Sequence, residues 1–164
     1  MSARYVVMGV SGCGKSRIGA GFAAAIGAHF IDGDSLHPKT NVDKMARGEP
    51  LNDADRHPWL EEVGRNLAPN TVIACSALKR SYRDLIRKTT GAPVIMCVLH
   101  GTRDVLWERV SNRDGHFMPP ALLDSQLATL ELPDQSETHA IADIDNTPDQ
   151  IIQTLITATQ ELTS

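Results

Sequence analysis

The segment Gly9-Val10-Ser11-Gly12-Cys13-Gly14-Lys15-Ser16 constrains this chain more than any other. It meets every fixed position of Gly-x-x-x-x-Gly-Lys-Ser. It follows directly on the apolar run Tyr5–Met8, of strand length, and leads into a stretch where Ile18, Phe22 and Ile26 fall at helical spacing. Glycines at these places let the backbone turn with successive amides pointing inward, so that phosphates sit in a nest at the positive end of a helix. The bland alternative is a glycine-rich turn that merely starts a helix. Four matched positions, with strand and helix on the right sides, favour the phosphate cradle. Gly9, Val10, Ser11, Gly12, Cys13, Gly14, Lys15 and Ser16 are therefore read as nucleotide-binding, with Lys15 reaching the β and γ phosphates and the Ser16 hydroxyl ligating Mg²⁺.

The rest of the chain repeats the strand-then-helix pattern. Strands are expected at Tyr5–Met8, His29–Ile31, Thr71–Cys75, Val94–Leu99 and Ala140–Ile144, with helical stripes between them. Leu123, Leu127 and Leu130 make one such stripe. Ile151, Ile152, Leu155, Ile156 and Leu162 make another, opened by Thr147 as N-cap and Pro148 at the first helical position. This predicts an α/β, three-layer P-loop fold in a single domain over 1–164, its parallel sheet covered by helices on both faces. The longest polar, loop-prone stretch runs from Asp32 to His57, and long loops in compact domains are usually functional.

Many P-loop enzymes hold the Mg²⁺ shell with an Asp at the end of a strand, yet the third strand here ends Ala74-Cys75-Ser76. The second ends Asp32-Gly33-Asp34 instead. At the C-terminal edge of an open α/β sheet, where ligands bind, one carboxylate can face the metal and the other the acceptor. Asp32 is assigned to the water shell of Mg²⁺. Asp34 is assigned to orienting the nucleophilic hydroxyl and taking its proton late in transfer.

The balance of charges narrows the partners. A net charge of −4 leaves no basic footprint for nucleic acid, so any anion is held by local groups. No apolar run approaches the roughly 20 residues of a membrane span, and a soluble cytoplasmic protein is expected. Cys13, Cys75 and Cys97 are widely spaced and read as free thiols.

Several more selective segments follow the P-loop: Asp32-Gly33-Asp34-Ser35-Leu36-His37-Pro38, Gly48-Glu49-Pro50-Leu51-Asn52-Asp53, Pro58-Trp59-Leu60, Cys75-Ser76-Ala77-Leu78-Lys79 and Tyr82-Arg83-Asp84. With them the chain resembles the bacterial-type gluconokinases, relatives of shikimate kinase and the nucleoside monophosphate kinases, over nearly its whole length. The resemblance implies ATP and D-gluconate as substrates, 6-phosphogluconate as product, Mg²⁺, a five-stranded sheet in the order 2-3-1-4-5, and a homodimer.

Gluconate offers a carboxylate and a row of hydroxyls, so its pocket needs cationic forks and hydrogen-bonding groups. The resemblance and this chemistry together nominate His37, Lys44, Arg56, Lys79 and Arg83 beside Asp34. Arg56 and Arg83 are preferred because guanidinium is planar and bidentate. Trp59 is expected to pack its helix core rather than touch sugar. A mobile lid is expected over about 109–120, because small kinases exclude water during transfer. In it Arg109 and Arg113 would meet the phosphates, Arg113 as an arginine finger in cis. Asp114 stands where related lids often carry a basic residue. The sequence leaves open another small acceptor, shikimate or a nucleoside monophosphate. A guanine-reading switch would need an Asn-Lys-x-Asp segment, which is absent.

Overall fold

The computed structural model describes residues 3–10, 12–111 and 120–163. Five parallel strands form one sheet: β1 (Arg4–Met8), β2 (His29–Asp32), β3 (Thr71–Ala74), β4 (Ile95–His100) and β5 (His139–Asp143), in the order β2-β3-β1-β4-β5. The expected strands appear with ends shifted by a residue at most. Around them run α1 (Lys15–Ile26), α2 (Lys39–Ala46), α3 (Asp53–Asn66), α4 (Arg80–Thr90), α5 (Arg103–Ser111), α6 (Pro120–Thr129) and α7 (Pro148–Thr163).

Alternation along β1 explains why helices cover both faces. Tyr5 and Val7 enter a core with Phe22 of α1, Leu106 of α5, Leu123 of α6 and Leu155 of α7. Val6 and Met8 enter a second core with Trp59, Leu60 and Val63 of α3 and Ile86 of α4. A strand buried on both sides must be apolar at every position, as Tyr5-Val6-Val7-Met8 is. α7 opens on the expected cap: the Gln150 amide donates to Thr147 Oγ1 (3.2 Å) while the Thr147 amide donates to the Gln150 side chain (3.0 Å).

The stretch after β2 departs from the expected long loop. It folds into a 3-10 turn over Gly33–Leu36, then α2, and α3 begins at Asp53. Asn52 and Asp55 close a capping box at the start of α3, the Asp55 amide donating to Asn52 Oδ1 (2.8 Å) and the Asn52 amide to Asp55 Oδ2 (2.9 Å). α2 is then tied to α3, because Lys44 Nζ sits 2.6 Å from Asp55 Oδ2 and the Asn41 amide nitrogen donates to the Asp55 carbonyl (2.9 Å). Turn residues such as Gly48 and Pro50 separate these helices; they do not prevent them.

Candidate active site

Sheet order places the ends of β1, β2 and β3 side by side, and the turns leaving those ends build the site. The turn between β1 and α1 keeps its path through glycines. Gly12 has φ +83°, and a Cβ there would meet Val110 Cγ2 at 2.3 Å, so α5 packs directly on the loop backbone. Gly14 caps α1 in a left-handed conformation (φ +95°) that L side chains rarely adopt. Lys15 folds back, its Nζ donating to the Val10 carbonyl at 3.0 Å. Ser11 lies outside the described residues.

A cleft of about 520 Å³ opens over this loop. Gly12, Cys13, Gly14, Lys15 and Ser16 line its floor, and Asp34 and Ser76 line one wall. Arg109, Ile144, Asn146 and Pro148 line the other. Arg109 is fixed there by two carbonyls, donating through Nη2 to Ile144 (2.9 Å) and Asn146 (3.2 Å). The loop from β5 into α7 thus joins a guanidinium plane and a proline ring on the far side of the cleft. The expected lid residues from 112 to 119, Arg113 among them, lie outside the described residues.

At the acid end, Ser16 Oγ donates to Asp32 Oδ2 at 3.1 Å. The other Asp32 oxygen accepts from the Asp34 amide (3.0 Å), so one carboxylate both faces the serine and caps the 3-10 turn. That cap leaves the Asp34 side chain exposed on the cleft wall. Gly33 makes the crossing possible, since a Cβ there would lie 2.3 Å from the Ala74 carbonyl. Among the described residues no three His, Cys, Asp or Glu side chains gather as a metal cage. Two adjacent oxygens on protein, with the remainder from phosphate and water, is the donor set that suits Mg²⁺ and not a dedicated protein cage.

Of the five basic residues nominated for the acceptor, none lines that cleft: His37 and Lys44 are joined through Asn41 and Asp55, Arg56 and Lys79 through Tyr82, and Arg83 stands apart. His37 stacks on Trp59 with ring centroids 4.1 Å apart and 16° between planes, and Trp59 Nε1 donates to the Gly33 carbonyl (2.8 Å). Trp59 is core-packed, as expected, and also underpins the Asp34 turn. Arg56 and Lys79 flank the Tyr82 ring at 5.7 and 5.5 Å. The Tyr82 hydroxyl donates to Asp53 Oδ1 at 2.5 Å, and Lys79 Nζ stands 3.4 Å from Asp53 Oδ2. The Tyr82 hydrogen bond, followed by Lys79, holds the Asp53 carboxyl below its ordinary range. Lys44 is paired with Asp55, as described above.

Arg83 is the correction. Its side chain is fully buried and meets Glu137 through two prongs, Nε to Oε1 at 2.8 Å and Nη2 to Oε2 at 2.9 Å. Nη1 donates to the carbonyls of Ala77 (2.9 Å) and Leu78 (3.2 Å). Four of its five N–H groups are engaged within the fold and the side chain is fully buried, so Arg83 shapes the β3–α4 turn instead of lining the pocket.

Tyr82, Asp53 and Asn41 were not singled out as site residues from sequence, although all three stand beside the nominated groups. The spacing of Asn41 four residues after His37 was the available signal. For Tyr82 it was its position three residues after Lys79, one helical turn away.

The family model described as shikimate kinase matches residues 11–160. The chain is similar to the gluconokinase of Gluconobacter oxydans, with 44% identity covering 92% of this chain and 88% of that one. It is similar to the thermoresistant gluconokinase of Escherichia coli, with 42% identity covering 93% and 90%. The crystal structure of a gluconokinase from Sinorhizobium meliloti superposes with a TM-score of 0.91 at 44% identity, covering 98% of this chain and 93% of that one.

Proposed function

This chain belongs to the gluconokinases, within the family whose model is described as shikimate kinase, and we propose that it transfers the γ-phosphoryl group of ATP to a hydroxyl of D-gluconate. The products are 6-phospho-D-gluconate and ADP. The observation that carries this reading is that Lys15, Ser16 and Asp34 line one cleft over the P-loop, with Asp32 bonded to Ser16. Relatives that are 38–44% identical over most of the chain and named gluconokinase supply the acceptor.

The amides of Gly12 to Ser16 receive the phosphates, and Lys15, on the floor of the cleft, meets the β and γ oxygens. Ser16 and Asp32 would hold Mg²⁺, which would supply neutralising charge to those phosphates. Asp34 accepts a hydrogen bond from the attacking hydroxyl and takes its proton as transfer completes; the bond from the γ phosphorus to the β–γ bridging oxygen breaks as that to the sugar oxygen forms. Arg109 and the Asn146–Pro148 turn border the nucleoside end of the cleft.

On the acceptor side, Arg56 and Lys79 supply positive charge for the carboxylate, while His37 and Lys44 serve its hydroxyls. Arg113 acts on the transferred group from the lid. We extend the reading to one catalytic domain over 1–164, a cytoplasmic location and a homodimer, supported by the family likeness. Among the described residues no helix is long and apolar enough to cross a membrane.

The test is a coupled assay of ADP release with gluconate, its epimers, shikimate and AMP offered in turn. Gluconate should give the highest kcat/KM. A higher value with shikimate or AMP would overturn the assignment.

A further inference from the structure

We propose that Asn41 is a positioning residue that locks the His37 imidazole in the tautomer protonated at Nε2, so that this nitrogen presents a hydrogen-bond donor to an oxygen of the acceptor beside Asp34. This rests on the reading of the region around Asp34 as the acceptor pocket.

The argument starts from one atom. The Asn41 amide nitrogen lies 2.9 Å from the Asp55 carbonyl oxygen and 3.2 Å from His37 Nδ1. A backbone carbonyl can only accept, so the atom facing Asp55 must be the nitrogen of the side-chain amide; the reverse orientation would set oxygen against oxygen. The same nitrogen faces His37, and an amide nitrogen can only donate. His37 Nδ1 must therefore offer its lone pair, and in a neutral imidazole the proton then resides on Nε2. Asn41 is 4% exposed, which leaves little room for water to take either role.

The ring is fixed in direction as well as in tautomer. Trp59 stacks beneath it and holds the Gly33 carbonyl through its indole nitrogen, so one side chain sets both His37 and the turn carrying Asp34. The charged groups facing the ring are Asp34 and Arg56. Burial lowers the pKa of the imidazole; Asp34 opposes that shift and Arg56 reinforces it. Nδ1 is occupied by Asn41, and among the described residues Nε2 meets no hydrogen-bonding partner. A donor held one turn beyond the catalytic carboxylate suits a hydroxyl or carboxylate oxygen, each rich in lone pairs, and would not suit an apolar acceptor.

The primary measurement is the long-range proton–nitrogen NMR correlation of uniformly ¹⁵N-labelled protein near pH 7.5. The His37 signals are identified by their loss in His37→Gln. The expected pattern is that of the Nε2–H tautomer; an Nδ1–H or imidazolium pattern overturns the proposal. This experiment needs no acceptor, so it stands even if gluconate proves not to be phosphorylated, which would count against the function assigned above and not against the tautomer.

Kinetics then tests the positioning. Asn41→Ala should raise KM for gluconate roughly five- to tenfold, the scale of one lost hydrogen bond, with KM for ATP unchanged. An unchanged gluconate KM overturns the positioning role. Should Asn41→Ala fold poorly, the comparison moves to His37. The amide nitrogen of Gln can overlie Nε2, whereas that of Asn overlies Nδ1. His37→Gln should retain about five times the kcat/KM of His37→Asn, and equal losses in the two would contradict the account.

Discussion

Arg83 and Glu137, 54 residues apart in sequence, close a buried two-pronged ion pair that ties α4 to the segment entering β5. The remaining arm of Arg83 holds the carbonyls of Ala77 and Leu78, in a turn where Ala77 has φ +43°. A residue with a Cβ adopts that left-handed conformation only under constraint from its surroundings, and here the guanidinium supplies it. The turn in question carries Ser76 toward the nucleotide cleft and Lys79 toward Tyr82 and Asp53.

Removing one partner should therefore be costly. Arg83→Ala leaves Glu137 buried without its two-pronged partner, with Arg87 at 3.0 Å and Arg80 at 3.8 Å still beside it, and is expected to lower the unfolding free energy by about 3–5 kcal/mol. Urea unfolding followed by circular dichroism measures it. A loss under about 1 kcal/mol, the range of exposed pairs, would show that the pair does not bear on the turn.

The same pair gives the stability a pH dependence. Burial alone would push the Glu137 carboxyl up, but Arg83 and then Arg87 overcome it and hold the group below its ordinary 4.5. A carboxyl with a depressed folded-state pKa contributes stability that is present above its unfolded pKa and is lost as pH falls through the folded one. The unfolding free energy of the wild type should thus fall more between about pH 7 and pH 3 than that of Glu137→Gln. Equal slopes in the two proteins would contradict this.

What could be read from sequence divides along physical lines. The P-loop, the strand–helix alternation and the cap at Thr147 depend on neighbours within a few residues, and each appears where the local pattern put it. Ser16 and Asp32 meet because each sits at the end of its strand–turn unit, a placement that a parallel sheet enforces. Arg83 shows the limit. Its chemistry suits a carboxylate, and it does bind one, but the carboxylate is Glu137, and a pairing across 54 residues leaves no periodic trace. The helices after β2 were hidden for a related reason, because their docking depends on Lys44, Asn41 and Asp55 meeting in space.

Gly33 offers a test of how the acids are placed. A methyl group at this position would lie 2.3 Å from the Ala74 carbonyl, and neither backbone can yield without moving the Asp32–Asp34 turn. Gly33→Ala should cost about 1–3 kcal/mol of stability and lower kcat further than the folded fraction accounts for. Thermal melts run beside kinetics at a temperature where the variant is fully folded separate the two. Wild-type kcat in the folded variant would show that the turn tolerates displacement.

Lys15 lines the floor of the cleft, its Nζ donating to the Val10 carbonyl of its own loop. Lys15→Ala is expected to lower turnover on the order of 10²–10³, the scale of losing one preorganised donor to developing charge. Steady-state kinetics at saturating ATP and gluconate measures this, and a loss below about tenfold would assign the charge to another residue.

The central claim is that the Asp34 carboxylate, on the turn that leaves β2 and lines the cleft over the phosphate loop, aims the acceptor hydroxyl. The most direct measurement pairs single-turnover phosphoryl transfer with nucleotide affinity in Asp34→Asn, which preserves shape and removes the negative charge. The account predicts nucleotide affinity within about twofold of wild type and a transfer rate reduced by 10² or more, the scale of a positioned general base. Transfer at a near wild-type rate would contradict it.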